Sequence, residues 1–234
     1  MDKQFKMAKG IIVIAGYGTG VSQAVGFKFG SQGFELALLS RTKEKLEAAA
    51  AEFAKSNIKA KGYPVDLTDP KAVVAVIKQI KASGQLTILF WNPYGVSKSV
   101  VGGSIQDFTD NINVTTVSLV AAVQEAIPAL EATKGAVLVT GGGLSLENEQ
   151  VAQLAVSWGA ATLAVSKAAQ RKLVHVLHYE LGPKGVFVGE VTVLGAVKGT
   201  PFDYEGKSTL TAESIAEAFD KLLTERKDVF ASKA

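Results

Sequence analysis

Gly16, Gly18 and Gly20 stand between an apolar run, Ile11-Ile12-Val13-Ile14-Ala15, and a segment of helical period with Val21, Val25 and Phe29 on one face. A turn of this kind, here Gly16-Tyr17-Gly18-Thr19-Gly20-Val21-Ser22, lets the backbone approach a pyrophosphate. The unpaired amides and positive end of the following helix then bind that anion. A second apolar run, Phe34 to Leu39, ends in Ser40-Arg41, where such units meet an adenosine ribose. A carboxylate there would accept from a free 2′-hydroxyl, whereas a guanidinium suits a 2′-phosphate, so Ser40 and Arg41 favour NADP(H) over NAD(H). The bland alternatives are chain reversal for the turn and a solvated strand end for Arg41. Turn, second strand and basic residue nevertheless fall in the order that a dinucleotide requires.

The elements that must position these residues follow from periodicity. A helix is expected from about Lys43 to Ser56, with Leu46, Ala49, Ala50 and Phe53 inward, then a strand from about Lys59 to Pro64 leading into Val65-Asp66-Leu67-Thr68. Asp69-Pro70 should start a helix, an acceptor side chain followed by proline at the first helical position, with Val73, Val76, Ile77 and Ile80 buried. Leu86 to Phe90 reads as the fourth strand, ending in Trp91-Asn92-Pro93-Tyr94-Gly95. One long helix is expected from about Ser104 to Glu131, then a fifth strand, Ala136 to Val139, opening into Thr140-Gly141-Gly142-Gly143. Leu144 to Ser157 reads as a loop or a short helix, and Gly159 to Tyr179 as another long helix. A sixth strand, Val186 to Leu194, runs into Gly195-Ala196-Val197-Lys198-Gly199-Thr200-Pro201. Thr211 should cap a last helix with Ile215, Ala218, Phe219 and Leu222 inward, and Val229-Phe230 fits a short final strand. This alternation predicts one α/β domain over residues 1–234, a doubly wound parallel sheet in a Rossmann-like three-layer sandwich. Its ligand crevice should lie at the carboxyl ends of the strands.

Composition narrows the chemistry. A chain of 234 residues, 47% apolar and 20% charged, has material for a large core. A net charge of +3, without a basic run interleaved with aromatics, argues against nucleic acid. Absence of cysteine excludes disulfides and thiolate chemistry. His175 and His178 have no acidic cluster spaced to complete a metal site, so no metal is expected. The stretch Met1 to Lys9 is short and polar, and no run looks long and apolar enough to span a membrane, which makes a cytoplasmic location the expectation.

Together these residues resemble the short-chain dehydrogenase/reductase family over nearly the whole chain. Its motif Gly-x-x-x-Gly-x-Gly is matched by Gly16 and Gly20, with the small Ser22 in place of the last glycine. The resemblance implies that Asp66 and Leu67 flank the adenine, and that Asn92-Pro93-Tyr94-Gly95 stands for the family's Asn-Asn-Ala-Gly. It makes Asn113 the structural and catalytic asparagine, and Lys167, within Val165-Ser166-Lys167-Ala168-Ala169, the lysine that holds the nicotinamide ribose. Gly195, Val197 and Thr200 match the segment that meets the nicotinamide carboxamide.

The resemblance breaks at the catalytic centre. The family's tyrosine, four residues before the lysine, is Leu163 here, and its carbonyl-polarising serine falls at Gly142. A phenol beside an ammonium passes a proton near neutral pH, and leucine has none to give. Tyr94, Tyr17, Ser145 or Lys167 itself would have to substitute, although an aromatic near a nucleotide ordinarily packs against it and a serine after glycines ordinarily finishes a turn.

Two functions follow: an NADP(H)-dependent oxidoreductase of non-orthodox kind acting on a small carbonyl or alcohol, or a catalytically silent NADP(H)-binding sensor or partner subunit. Substrate walls would come from Leu144–Ser157 and Lys198–Leu210. The two long helices carry Val117, Val120, Ala121, Ala164, Ala168 and Val174, more than one buried face needs. In the family the equivalent helices pair, which implies a homodimer or homotetramer.

Overall fold

The computed structural model describes residues 9–95, 98–200, 203 and 206–234. Most of the polar N-terminal stretch, through Ala8, and four residues of the expected substrate wall, Pro201, Phe202, Tyr204 and Glu205, lie outside the described residues. Among the described residues, seven strands form one sheet: β1 Ile11–Ala15, β2 Glu35–Ser40, β3 Ala60–Pro64, β4 Leu86–Trp91, β5 Ala136–Gly142, β6 Phe187–Val193 and β7 Phe230–Lys233. They lie in the order β3-β2-β1-β4-β5-β6-β7, every pair parallel. From β1 the chain runs outward through β2 to β3, then returns to place β4 on the other side of β1. That reversal between β1 and β4 leaves a crevice outside their carboxyl ends, as such sheets do at their switch point.

Among the described residues, eight α-helices cover the two faces: α1 Val21–Ser31, α2 Lys43–Lys55, α3 Pro70–Ser83, α4 Ile105–Ile112, α5 Ser118–Thr133, α6 Glu149–Ser157, α7 Ala161–Leu181 and α8 Ala212–Glu225. Successive strand residues point to opposite faces, so β1 sends Val13 and Ala15 to the layer of α3, α5 and α7. Ile12 and Ile14 go to the layer of α1, α2 and α8. Strands buried on both faces are mostly apolar, which is why β1 reads as an unbroken apolar run and β4 as one interrupted by Thr87. Caps expected from sequence close as expected. Asp69 Oδ1 accepts from the amides of Lys71 and Ala72 at 2.8 and 3.2 Å, and Thr211 Oγ1 accepts from Ser214 at 3.1 Å.

Three expectations need correction. The helix expected from Ser104 to Glu131 is instead α4, a π turn over Asn113–Val117, and α5, which runs on to Thr133. In the π turn Ser118 donates its amide to the Asn113 carbonyl, while Thr115 Oγ1 bonds back to the Asn111 carbonyl at 2.7 Å. Such a bulge frees carbonyls for other partners. Val114 then accepts from the Trp91 indole and Thr115 from the Gln170 amide, both at 3.0 Å.

The glycines after the fifth strand are also not all turn. Thr140, Gly141 and Gly142 continue β5, paired with Val191, Thr192 and Val193. A Cβ at Gly141 would collide with the Glu190 carboxyl, so the strand persists only because that side chain is missing.

Finally, the helical run Ile105–Thr133 does reach the length and mean hydropathy, 1.2, of a membrane span. Its apolarity has a local explanation. Leu119, Ala122, Val123, Ala126 and Leu130 are the buried face that α5 lays against the sheet.

Candidate functional site

The β1–α1 turn is shaped to leave amides open. Gly16 holds φ +74°, a left-handed conformation, and a Cβ there would stand 2.7 Å from the Pro93 backbone. The amides of Gly16 and Tyr17 both donate to the Leu39 carbonyl, which fixes the turn to β2. Those of Gly18 through Ser22 have no protein acceptor among the described residues, α1 has no capping side chain and no acid in its first turn, and Gly18 faces open space. Bare amides at a helix start are an anion site. Thr19 is exposed, and Val21 rests against the core of the α1 layer. Tyr17 turns away from the opening: its ring meets Phe53 edge-on at 6.0 Å, and burial pushes its phenol above the usual range.

Ser22 occupies the last glycine position of the motif for a structural reason. Its hydroxyl donates to the Gly16 carbonyl at 2.9 Å and accepts from the Asn92 amide at 2.8 Å, so it ties the turn to the end of β4. Asn92, expected at a ligand, gives its side-chain amide to that tie. Pro93 is buried against Gly16, and Tyr94 beyond it is half-exposed.

At the end of β2, Ser40 is half-buried and Arg41 exposed. Asp66, after β3, lies close enough to feel the Arg41 charge. Its carboxyl is held below the usual range chiefly by the amide and hydroxyl of Thr68, with Arg41 a smaller contributor. Leu67 buries its side chain in the α3 layer, so its backbone alone can line the crevice. After β6, Gly195 is exposed while Val197 is buried, its carbonyl accepting from both the amide and hydroxyl of Thr200. A Cβ at Gly20 would meet Thr200 at 3.3 Å, so this loop reaches over the start of α1.

Lys167 has the least ordinary surroundings. Its Nζ is buried on the inner face of α7 and donates to the Thr140 carbonyl at 2.9 Å and to Gln170 Oε1 at 2.8 Å. Gln170 in turn reaches the π turn at Thr115, four residues C-terminal to Asn111 and two from Asn113, which is half-buried and gives its carbonyl to Ser118. Burial pushes the ammonium down to about 8, opposed by the negative charge of Glu190. Leu163, one turn earlier, is buried, and Gly142 ends β5 with open space where a Cβ would stand.

Four contributors were not singled out from the sequence: Gln170, Thr140, Glu190 and Arg171. The first two show themselves only through contacts across the fold. Glu190 did leave a signal, an acid inside the apolar run Phe187–Val193, where both faces of the strand are covered. His175 and His178 lie away from the strand carboxyl ends. His178 Nδ1 pairs with the Val188 carbonyl near the start of β6, and His175 borders an open cleft of about 1000 Å³ between α6, α7 and β7.

With this geometry in hand, comparison with known proteins gives the class. Residues 10–209 match the family model described as short chain dehydrogenase, and the chain belongs to that family of oxidoreductases. It is 27% identical over 183 residues to a meso-2,3-butanediol dehydrogenase of Serratia marcescens, covering 77% of this chain and 69% of that one. It is 24% identical to an uncharacterised oxidoreductase of Staphylococcus aureus, covering 92% of this chain and 91% of that one. Among solved structures, an L-sorbose reductase from Gluconobacter frateurii, complexed with NADPH and L-sorbose, superposes with a TM-score of 0.83 at 18% identity, covering 98% and 97% of the two chains. An alcohol dehydrogenase from Thermococcus sibiricus, complexed with 5-hydroxy-NADP, gives 0.79 at 21% identity, covering 97% and 95%. At these identities the superpositions establish the fold.

Proposed function

We propose that this chain is an NADP(H)-dependent oxidoreductase acting on a small carbonyl or alcohol, with Lys167 in place of the missing phenol as proton donor. The observation that carries the reading is the Lys167 ammonium itself, buried beside the end of β5, with two of its three donors committed to Thr140 and Gln170. An acid of about 8 in a water-poor site is matched to proton transfer near neutral pH, where an ordinary lysine is not. Bound, the nicotinamide would supply the hydride. The protein's part is to hold the pyrophosphate on the open amides of Gly18 through Ser22 and to seat a 2′-phosphate at Ser40 and Arg41. Thr200 reaches over the same turn, and Lys167 Nζ gives its third hydrogen to the developing alkoxide. Structural neighbours complexed with NADPH or 5-hydroxy-NADP support the choice of cofactor.

A silent NADP(H)-binding role is favoured by one observation: Leu163 and Gly142 put no hydroxyl where the resemblance places the tyrosine and serine of a family enzyme. Fluorescence titration with NADPH and NADH, followed by NADPH oxidation against aldehydes, ketones and quinones, separates the readings. Binding with no oxidation anywhere in the panel selects the silent one, whereas turnover lost in Lys167→Met selects the enzyme. The exposed Val117 at the end of the π turn and Val165, Val176 and Tyr179 on α7 support a homodimer or homotetramer, which sedimentation checks. A cytoplasmic protein without nucleic-acid or membrane partners completes the proposal.

A further inference from the structure

Glu190 stands in the middle of β6 with no exposed surface. Its Oε1 accepts from Arg171 Nη1 at 2.6 Å and from Thr192 Oγ1 at 2.7 Å, while its Oε2 has no partner among the described residues. The space for it is the side chain that Gly141 lacks. Burying a carboxylate in a sheet core is strongly unfavourable unless cations compensate, and a valine would pack there without that penalty. The compensating cations lie on α7 one turn apart: Arg171, which touches Glu190, and Lys167, whose Nζ bonds the carbonyl of Thr140 next to Gly141, the residue against which the Glu190 carboxyl lies.

We infer that Glu190 is a positioning residue for the charge on Lys167: its carboxylate, anchored by Arg171 and Thr192 in the space left by Gly141, keeps the buried Nζ an ammonium ion. The inference rests on the reading of Lys167 as the acid, although the charge itself is measurable without turnover. The surroundings of Nζ offer no other buried carboxylate among the described residues. β5 presents the carbonyl of Thr140, and the π turn presents Thr115 through Gln170. The short turn at Gly143–Ser145 packs against α7 and buries Ser145. α4 carries Asp107, paired with Lys98, and Asp110, which accepts from Gln106. α6 carries Glu149, which accepts from Gln153 on the protein surface. On α7 itself, Arg171 opposes Glu190, and Lys172 and His175 face the open cleft.

The test is NMR titration of the full chain labelled at lysine Cε and glutamate Cδ, the Lys167 signal being assigned by its loss in Lys167→Met. The wild-type midpoint should fall near 8. Glu190→Gln keeps the acceptor for Arg171 and Thr192 but removes the charge, and should move that midpoint to lower pH by about one unit or more. Glu190→Asp should restore it. An unmoved midpoint in folded Glu190→Gln overturns the inference. So does a wild-type Glu190 Cδ signal that reports a neutral carboxyl at pH 7, a reading that needs no variant to fold. The alkaline limb of NADPH oxidation should shift with the NMR midpoint. If the midpoint moves as expected while no variant turns over, the proposed function fails and the charge assignment stands. Turnover with an unmoved midpoint overturns the charge assignment and leaves the proposed function standing.

Discussion

The two halves of the crevice are built by opposite means. On the β1–α1–β2 side the working groups are backbone amides within a few residues of one another, exposed by what is absent: glycine side chains at Gly16 and Gly18 and a cap on α1. On the β5–α7–β6 side they are side chains, Lys167, Gln170, Arg171 and Glu190, brought together from two elements and held by carbonyls of two more. The first half resembles a socket lined by backbone donors, with the Arg41 charge exposed at its rim. The second already contains its charges, two cations about one anion, and must hold them in balance without water. Losing a residue from the socket should therefore weaken binding locally, whereas losing one from the buried cluster should change the charge state of its neighbours.

Lys167→Met gives the sharpest contrast. Turnover should fall by roughly a hundred- to ten-thousand-fold, the usual worth of a positioned acid, with NADPH affinity changed far less. Equal losses in both would break the division between the halves. Next is the pH dependence of stability. An ammonium lowered from 10.5 to about 8 in the folded chain means that the unfolded chain binds more protons between those values. Stability should therefore rise with pH across that window and be flat in this contribution below it, with a full amplitude on the order of 3 kcal/mol. Denaturant melts of wild type and Lys167→Met at pH 7 and pH 10 measure the amplitude, and the rise should vanish in the variant.

Arg41→Ala tests the socket. NADPH should lose about tenfold, ~1.4 kcal/mol, against NADH as a charge-assisted contact to the 2′-phosphate goes, and an unchanged ratio would refute the assignment. The smallest effect is expected from Ser22→Ala. It removes the hydroxyl between Gly16 and Asn92 and should lower stability by about 1 kcal/mol in chemical denaturation. Because Ser22 is a tie within the socket and its hydroxyl faces the protein, the NADPH-to-NADH ratio should not move.

The same division governs what the sequence made legible. The turn at Gly16–Ser22, the strand end at Arg41 and the start of α3 at Asp69-Pro70 could be seen because each is made by neighbours in the chain, whose conformational demands are written in residue types. The π turn could not. A run such as Asn113-Val114-Thr115-Thr116-Val117 satisfies a helical pattern, and the widened turn declares itself only when Trp91 and Gln170 claim the released carbonyls. Gly141 misled for a related reason. A glycine triplet reads as a turn, yet here it extends a strand over a carboxyl contributed by a residue nearly fifty positions later.

Apolar runs, glycine spacing and caps were enough for the alternating parallel sheet and the open helix start, since both depend on backbone geometry and the hiding of apolar surface. Tertiary structure alone decided that Lys167 would be dehydrated, which two oxygens it would hold, and that Glu190 would stand behind it. Proton affinity answers to water exclusion and to charges a few ångströms away, and only the finished packing of β5, α7 and β6 sets either one.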